Sequence, residues 1–392
     1  MCIGQLGNLL PHVAVPAVMP QNLIPLWNLS GAQAGMMASA FAFGYMFAAP
    51  VLSRLTDRFD ARNILLIGSV VLALATIAFG LLAHNLWTAT GIWGLAGAGF
   101  AGAYMPGLKA LTDRLSPGEA SRSITLYTSS FSFGVGLSFL VCQVVADQFG
   151  WRWAFVASGL GPFVMVAVCL AMPGARPVAT QRNLLDFRPV IRNRPAMGYI
   201  LGYGAHCFEL YGIRTWLVAF WTFVTERAGT VSLFGPIVVS VVFSLLAMPA
   251  SILGNEAALR FGRHRALTRL MIASAAVAVA IGLSVWAPAA ILLTLLLFYA
   301  LLVPADSGAL TSGMAMSADV PHKGATMGLH TTIGFGLSAL GSWSSGIVLD
   351  LGGGPSHAWA WLMMFLLLAG SILLGPLALW WLRDPQDRNA QM

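Results

Sequence analysis

Charged residues are scarce in this chain. It has 21 Lys and Arg and 14 Asp and Glu, which is 9% of its 392 residues, whereas 58% of its residues are hydrophobic. A soluble globular protein has about 25% charged residues. A water-soluble fold with a mean hydropathy of +0.78 would expose large apolar patches. The composition therefore excludes a soluble protein and predicts that lipid covers most of the surface.

Several sequence features are also missing, and each omission excludes a class of function. The first 26 residues have neither a basic segment nor a small-residue cleavage site, which excludes a removable signal peptide and predicts a first membrane span. A Walker motif, a nucleophile–base spacing and a metal-ligand spacing are all lacking, so we expect no enzyme, no bound cofactor and no metal site. The four cysteines form no CxxC pair and should be buried thiols.

The long apolar runs predict the architecture. A helix needs about 20 mostly apolar residues to cross a bilayer, and we divide the two adjoining runs near residue 288 at Pro288. The sequence thus predicts an all-α membrane protein with twelve transmembrane helices, at residues 2–26, 31–53, 63–84, 88–112, 121–146, 152–173, 196–224, 231–254, 266–287, 288–316, 324–349 and 358–382.

The cations lie almost entirely on one side of these spans. If both termini share a side, only Arg152 and Arg227 fall in loops on the other side. Because cytoplasmic loops are enriched in Lys and Arg, both termini should be cytoplasmic. We expect a multi-pass protein of the cell inner (plasma) membrane. The net charge of +7 then needs no nucleic-acid partner.

A polar segment divides the chain into two similar halves. We predict an N-terminal six-helix half at 1–173, a cytoplasmic linker at 174–195, and a C-terminal six-helix half with a short tail at 196–392. Residues 121–150 align without a gap on 324–353, with Asp147 opposite Asp350. A parallel 6+6 repeat is typical of transporters, which bind substrate near the membrane midplane between the halves.

Two motifs resemble signatures of the major facilitator superfamily. "SRLTDRFDAR", residues 53–62, resembles the loop motif G-x-L-x-D-R-x-G-R-[RK], and "DQFGWRWAF", residues 147–155, resembles D-x-x-G-W-R-x-x-F. The resemblance implies the major facilitator fold, a monomer, and secondary transport by alternating access. The pattern H-x-x-E-L-x-G-x-x-x-W at 206–216 is similar to the cyanate and nitrate/nitrite-like branch of small-anion carriers.

In that superfamily helices 1, 4, 7 and 10 line the cavity, and here these helices hold polar residues that are costly in a bilayer. Glu209 and Asp306 lie well inside the membrane, where burial favours the protonated carboxyl, so either could carry a coupling proton. Arg214 could hold an anion through its planar fork. A structural ion pair is the alternative, although a local Glu209–Arg214 pair would need a helix break. The predicted substrate and proton pathway comprises Asn8, His12, Tyr104, His206, Glu209, Arg214 and Asp306.

The motif loops predict a conformational latch made of Asp57, Arg58, Arg62, Asp147, Arg152 and Arg260. The resulting interpretation is a transporter that takes up a small, anionic solute with protons or another coupling ion. Its partners are then the small-molecule substrate, the ion and the lipid bilayer. The alternative is proton-driven efflux of drugs or other hydrophobic compounds. The fourth and fifth helices lack the arginine and the proline-glycine motif that many such antiporters carry.

Overall fold

The computed structural model describes residues 1–56, 58–115, 117–175, 187–229, 234–319 and 322–383, and every regular element in these ranges is helical. The helices follow the predicted spans closely. We label them in chain order as α1 (Cys2–Leu9 and Ala14–Trp27), α2 (Gly31–Leu55), α3 (Ala61–Leu82), α4 (Leu86–Thr112), α5 (Pro117–Phe149), α6 (Trp151–Ala171), α7 (Arg194–Ala228), α8 (Pro236–Phe261), α9 (Arg263–Leu283), α10 (Ala289–Ser317), α11 (Lys323–Leu351) and α12 (Ala358–Trp381).

The described helices have the length and apolarity of membrane spans. Nine of them qualify alone, and α1 makes a tenth if its two segments form one span. The remaining two, α4 and α7, are long but less apolar, with 27 and 35 residues. Large apolar side chains such as Phe47 and Trp87 are more than 70% exposed on the outside of the bundle, where lipid would cover them.

The first span is bent, where the sequence predicted one straight helix. Its two segments meet at 49° around residues 10–13, where Pro11 cannot donate a backbone hydrogen bond. Ser138 of α5 compensates for the break, because its hydroxyl donates to the Leu10 carbonyl (2.6 Å) and accepts from the Val13 N–H (3.3 Å). An unpaired backbone group would be costly at this depth. The bend places His12 inside the bundle.

A second break divides α10 at residues 303–306, where Pro304 removes another donor. The backbone of α8 approaches this break closely, since a Cβ on Gly254 would overlap the Ala305 carbonyl. Asp306 occupies the N-cap position of the segment Ser307–Ser317, yet its side chain does not cap that segment. The break therefore leaves the Asp306 carboxylate available to the bundle interior.

Among the described residues, the main contacts between the two halves are those of α2 with α11, α5 with α8, and the second segment of α1 with α7. We call the end of the bundle where α6 ends and α7 begins the linker face, and the other end the opposite face. Gln143 of α5 donates to Ser240 of α8 (2.9 Å) near the opposite face. Tyr45 of α2 stacks on Phe335 of α11 at mid-depth, with ring centroids 3.7 Å apart. These two contacts between the halves thus lie at the opposite face and at mid-depth.

Asp350 connects the two halves at the opposite face. Its carboxylate, at the end of α11, accepts hydrogen bonds from the Gly31 N–H (2.5 Å) and the Ala32 N–H (2.8 Å) at the start of α2. The negative charge also suits the positive end of the α2 dipole. A Cβ on Gly346 would overlap the Gly31 carbonyl, so the glycine allows this close approach.

We expect Asp350→Asn to weaken closure of the opposite face by about 1 kcal/mol, because the amide loses the charge and one acceptor oxygen. Spin labels at His84 and Ser356, exposed on the opposite face in different halves, would report a larger share of long distances. The matched control is Asp147→Asn, since Asp147 is the repeat equivalent and is exposed. An unchanged distance distribution in Asp350→Asn would show that this contact does not hold the halves together.

Candidate functional site

His12 lies at the centre of an aromatic cluster contributed by both halves. Its ring centroid lies 5.4 Å from that of Phe41, 5.1 Å from Phe100 and 5.2 Å from Phe131. Across the interface the Tyr211 ring of α7 lies at 6.1 Å, and the Tyr211 hydroxyl is 3.3 Å from His12 Nε2. Nδ1 of His12 is buried and has no hydrogen-bond partner among the described residues. The cluster is thus apolar with one unsatisfied ring nitrogen.

Arg214 adjoins this cluster from one turn further along α7. Its guanidinium carbon lies 5.1 Å from the centroid of the Tyr211 ring, within cation–π range. The side chain is 94% buried, and its Nε and Nη1 atoms have no hydrogen-bond partner within the described part of the chain. No carboxylate is recorded within ion-pair distance of Arg214 in that part. The cation therefore presents two unused donors inside the protein.

His206 and Asp306 form a buried pair between α7 and the break in α10. Nδ1 of His206 lies 2.6 Å from Oδ1 of Asp306, and both side chains are at most 3% exposed. Tyr203 covers the pair, since its ring stacks on His330 at 3.9 Å and on His206 at 5.6 Å. His206 lies one turn before Glu209 on α7, and its recorded partner is Asp306.

Glu209 points away from Arg214, towards α9 and α10. Its Oε1 accepts hydrogen bonds from the Ser274 hydroxyl (2.8 Å) and the Tyr299 hydroxyl (2.9 Å). Its Oε2 has no partner among the described residues, and the side chain is completely buried. Helix α7 runs unbroken past Gly212, so Glu209 and Arg214 stay on different sides and form no local pair.

Asn8 and Tyr104, two further residues of the predicted pathway, lie near His12 in the sequence and beside Phe131, respectively. Asn8 lies four residues before His12, and both its amide atoms are buried without a partner among the described residues. Tyr104 of α4 is half-buried, and its ring centroid lies 5.3 Å from that of Phe131 in the aromatic cluster. Helix α4 continues through Pro106 without a break. Asn8 therefore keeps unused hydrogen-bonding groups inside the bundle, and Tyr104 extends the aromatic cluster.

The sequence did not single out Tyr211, Phe131 or Phe335 as site residues. Tyrosine and phenylalanine are common in membrane spans, so residue type gave no signal. The spacing did give a signal for Tyr211, because this residue lies three positions before Arg214, on the same side of α7. It also separates Arg214 from His12, which makes it the link between the halves.

On the linker face the structure centres an ion network on Asp60, which the prediction had not included. Arg114 donates from Nη2 to both Asp60 oxygens (2.9 and 2.7 Å), and the Ala175 N–H donates to Oδ2 (2.8 Å). Asp60 also caps α3 by accepting from the Arg62 N–H (2.9 Å). Nη1 of Arg62 donates to the Met172 carbonyl. The network joins α3, α4 and α6 within the N-terminal half.

Among the described residues of the predicted latch, Arg58, Arg152, Arg260 and Asp147 have no recorded ion pair with one another. Asp57 lies outside the described residues, and Arg58 is exposed. Arg152 donates to the Gly80 carbonyl (2.9 Å) and covers the Trp151 ring, so it anchors the end of α3 instead of binding Asp147. Arg260 of α8 lies over the ring of the neighbouring Phe261. Exposed Asp147 has no recorded ion pair in the described part of the chain.

Partial burial alone would raise the pKa of Asp60. The hydrogen bonds from Arg114, Ala175 and Arg62, together with the charge of Arg114, outweigh burial and lower the pKa below its ordinary value. The ionised carboxylate then stabilises the fold above the unfolded-state pKa of about 4, and this contribution disappears as the pH falls through the lowered folded-state value.

We expect Asp60→Asn to lower stability at pH 7 by about 1–3 kcal/mol, because a charge-assisted pair and part of a helix cap are lost. Thermal unfolding in detergent at pH 7 and below pH 3 tests this, since the difference from the wild type should vanish in acid. Asp113→Asn is the control: Asp113 pairs only locally with Lys109 at 3.1 Å and should contribute little. A pH-independent deficit would contradict the electrostatic explanation.

Comparison with known proteins places these features in a family. A family model described as Major Facilitator Superfamily matches residues 1–303. The chain is 25% identical over 234 residues to protein spinster homolog 3 of Danio rerio, covering 57% of this chain and 46% of that protein. It is 25% identical over 206 residues to a gentisate transporter of Corynebacterium glutamicum, covering 49% of this chain and 46% of the relative. The chain thus spans about half the length of the curated relatives it matches.

The fold comparison covers nearly the whole chain. The xylose transporter XylE from E. coli, in an inward open conformation, superposes with a TM-score of 0.74 over 97% of this chain and 95% of that one, at 13% identity. The predicted twelve-helix fold is thereby confirmed. These relatives do not support the cyanate and nitrate/nitrite-like branch, so the pattern at 206–216 was not specific to it.

Proposed function

The chain belongs to the Major Facilitator Superfamily, and we propose that it is a secondary transporter that works by alternating access, with an organic anion bound at Arg214 as its substrate. The observation that supports this proposal is the pair of unpartnered donors, Nε and Nη1, on a buried arginine. An uncompensated buried cation is costly. A bound carboxylate would accept a hydrogen bond from either of these atoms and neutralise the charge.

The surroundings of Arg214 favour a substrate with an aromatic or apolar body. The Tyr211 ring lies beside the guanidinium, the Phe131 ring contacts His12, and the Tyr104 ring contacts Phe131. Aromatic rings pack favourably against one another, and His12 Nδ1 and the Asn8 amide could bind polar substituents. Gentisate, an aromatic acid with one carboxylate, has this chemistry, which fits the similarity to a gentisate transporter.

We further propose that the anion enters with a proton. Glu209 is completely buried, and no ion pair is recorded for it in the described part of the chain, so its surroundings favour the neutral acid. The hydroxyls of Ser274 and Tyr299 can still stabilise the carboxylate when the proton leaves. The His206–Asp306 pair, one turn away, offers a second exchange point. Proton release from Glu209 would leave a buried charge, so it must accompany a change in the packing of α7 against α9 and α10.

We also keep the predicted topology as a proposal. The halves 1–173 and 196–392 would move against each other, with the linker face and both termini in the cytoplasm and the protein in the plasma membrane. The described contacts between halves, at mid-depth and at the opposite face, are compatible with access from the linker face. An introduced cysteine at exposed Arg192 should then react with impermeant reagents only after the cells are broken.

Uptake into proteoliposomes tests the proposed substrate. We expect an imposed proton gradient to drive accumulation of aromatic monocarboxylates, whereas their neutral primary amides are not taken up. Empty liposomes control for passive diffusion of the protonated acids. Outward movement of hydrophobic cations without carboxylate uptake would instead support efflux of hydrophobic compounds. Equal uptake of acids and amides would exclude Arg214 as the selective group.

A further inference from the structure

A large apolar groove opens on the outside of the C-terminal half. It has a volume of about 940 Å³, within the upper range of ligand pockets. Helices α7, α11 and α12 form it, and its lining includes Phe208, Leu337, Leu374, Gly370 and Trp380. The groove extends from the middle of α12 to its end at the linker face, so its length follows the direction of a lipid acyl chain in the bilayer.

A small basic pocket adjoins the groove at the linker face. Its volume is about 220 Å³, and its lining includes His264, Arg265 and Arg269 of α9 and Arg383 after α12. No acidic residue is among its described lining residues. Arg265 and Arg269 are exposed and lie one helical turn apart, so both side chains reach the same region. The pocket therefore attracts anions at the depth of the lipid headgroups.

Trp380 joins the two cavities, because its ring lines both. The side chain is 67% exposed at the end of α12, where tryptophan prefers the boundary between the acyl chains and the headgroups. A molecule with an anionic head and a long apolar tail could thus occupy both cavities at once. Neither cavity involves Arg214 or His12, so this site is separate from the central one.

We propose that the groove and the basic pocket together bind one anionic phospholipid from the leaflet at the linker face. The phosphate would lie in the basic pocket between Arg265 and Arg269, and an acyl chain would follow the groove past Trp380 and Gly370. Basic pockets between helices on this side of a membrane protein suit anionic headgroups. The cationic pocket would favour an anionic headgroup over a zwitterionic one.

Binding to the delipidated protein, measured by native mass spectrometry, tests the proposal. We expect one dioleoyl phosphatidylglycerol to bind at least about tenfold more tightly than dioleoyl phosphatidylcholine, which has the same chains. The double variant Arg265→Gln/Arg269→Gln should lose most of this preference. Arg192→Gln is the matched control, because Arg192 is an exposed arginine on the same face outside the pocket.

A second pair of variants tests the apolar groove separately from the basic pocket. Gly370→Leu should weaken binding of phosphatidylglycerol by filling the groove, whereas Gly91→Leu, an equally open and exposed glycine in the N-terminal half, should not. Unfolding temperatures of the lipid-free variants verify that they fold. Equal affinity for both lipids, a preference that survives in the double arginine variant, or equal effects of the two leucine variants would each overturn the proposal.

Discussion

Arg214→Lys should weaken binding of the transported anion by about a hundredfold while the protein still folds and reaches the membrane. Lysine keeps the positive charge but lacks the planar fork that makes two parallel hydrogen bonds to a carboxylate. One lost hydrogen bond to a charged group is worth about 1.5–3 kcal/mol, which corresponds to this loss of affinity. Equilibrium binding to the purified protein measures the effect directly.

Arg227→Lys is the control for Arg214→Lys. It makes the same exchange at the far end of the same helix, where Arg227 donates to the Ala287 carbonyl. Binding should remain normal in this variant. If Arg214→Lys instead binds normally, or loses binding and unfolding temperature together, then Arg214 has a structural role and the proposed anion site is wrong.

We expect Glu209→Gln to abolish proton-driven accumulation and to leave substrate exchange across the membrane intact. The amide mimics the neutral acid: its oxygen still accepts from Ser274 and Tyr299, and its NH₂ takes the place of Oε2. It cannot release a proton during the cycle. In proteoliposomes the accumulation ratio should fall to that of passive equilibration, whereas exchange of labelled for unlabelled substrate continues at the wild-type rate.

Asp306→Asn makes the same change at the other buried carboxyl group. If this variant loses coupling and Glu209→Gln still concentrates the substrate, then the His206–Asp306 pair carries the proton. Loss of exchange in Glu209→Gln would point to a conformational role in the packing of α7 against α9 and α10. Concentrative uptake by both variants would contradict proton coupling through either group.

The sequence was informative about spans because a bilayer imposes a simple requirement on length and apolarity. It also separated Glu209 from Arg214, since the helical repeat puts them on different sides of α7, and the structure agrees. It could not predict the bend of α1. The Pro11 break is stable only because Ser138, 127 residues further along, satisfies its backbone groups.

The sequence could not predict which side chains on different helices would pair. His206 lies one turn from Glu209 on α7, but the break at Pro304 brings Asp306 to it instead. Similarly, the sequence did not identify Asp60 as the centre of a network, because its partners Arg114 and Ala175 come from distant parts of the chain.

We call the α2–α11 contact and the α5–α8 contact between the halves the two seams. The Asp350 contact makes the first seam stronger than the second. The α2–α11 seam combines the charged cap on α2 with the stacked Tyr45–Phe335 pair. In the α5–α8 seam, the repeat equivalent Asp147 is exposed, and the neutral Gln143–Ser240 bond serves instead. A rigid body held more firmly along one edge turns about that edge. We therefore expect the opposite face to begin to open between α5 and α8, where water enters first, and the contact between α2 and α11 to separate last.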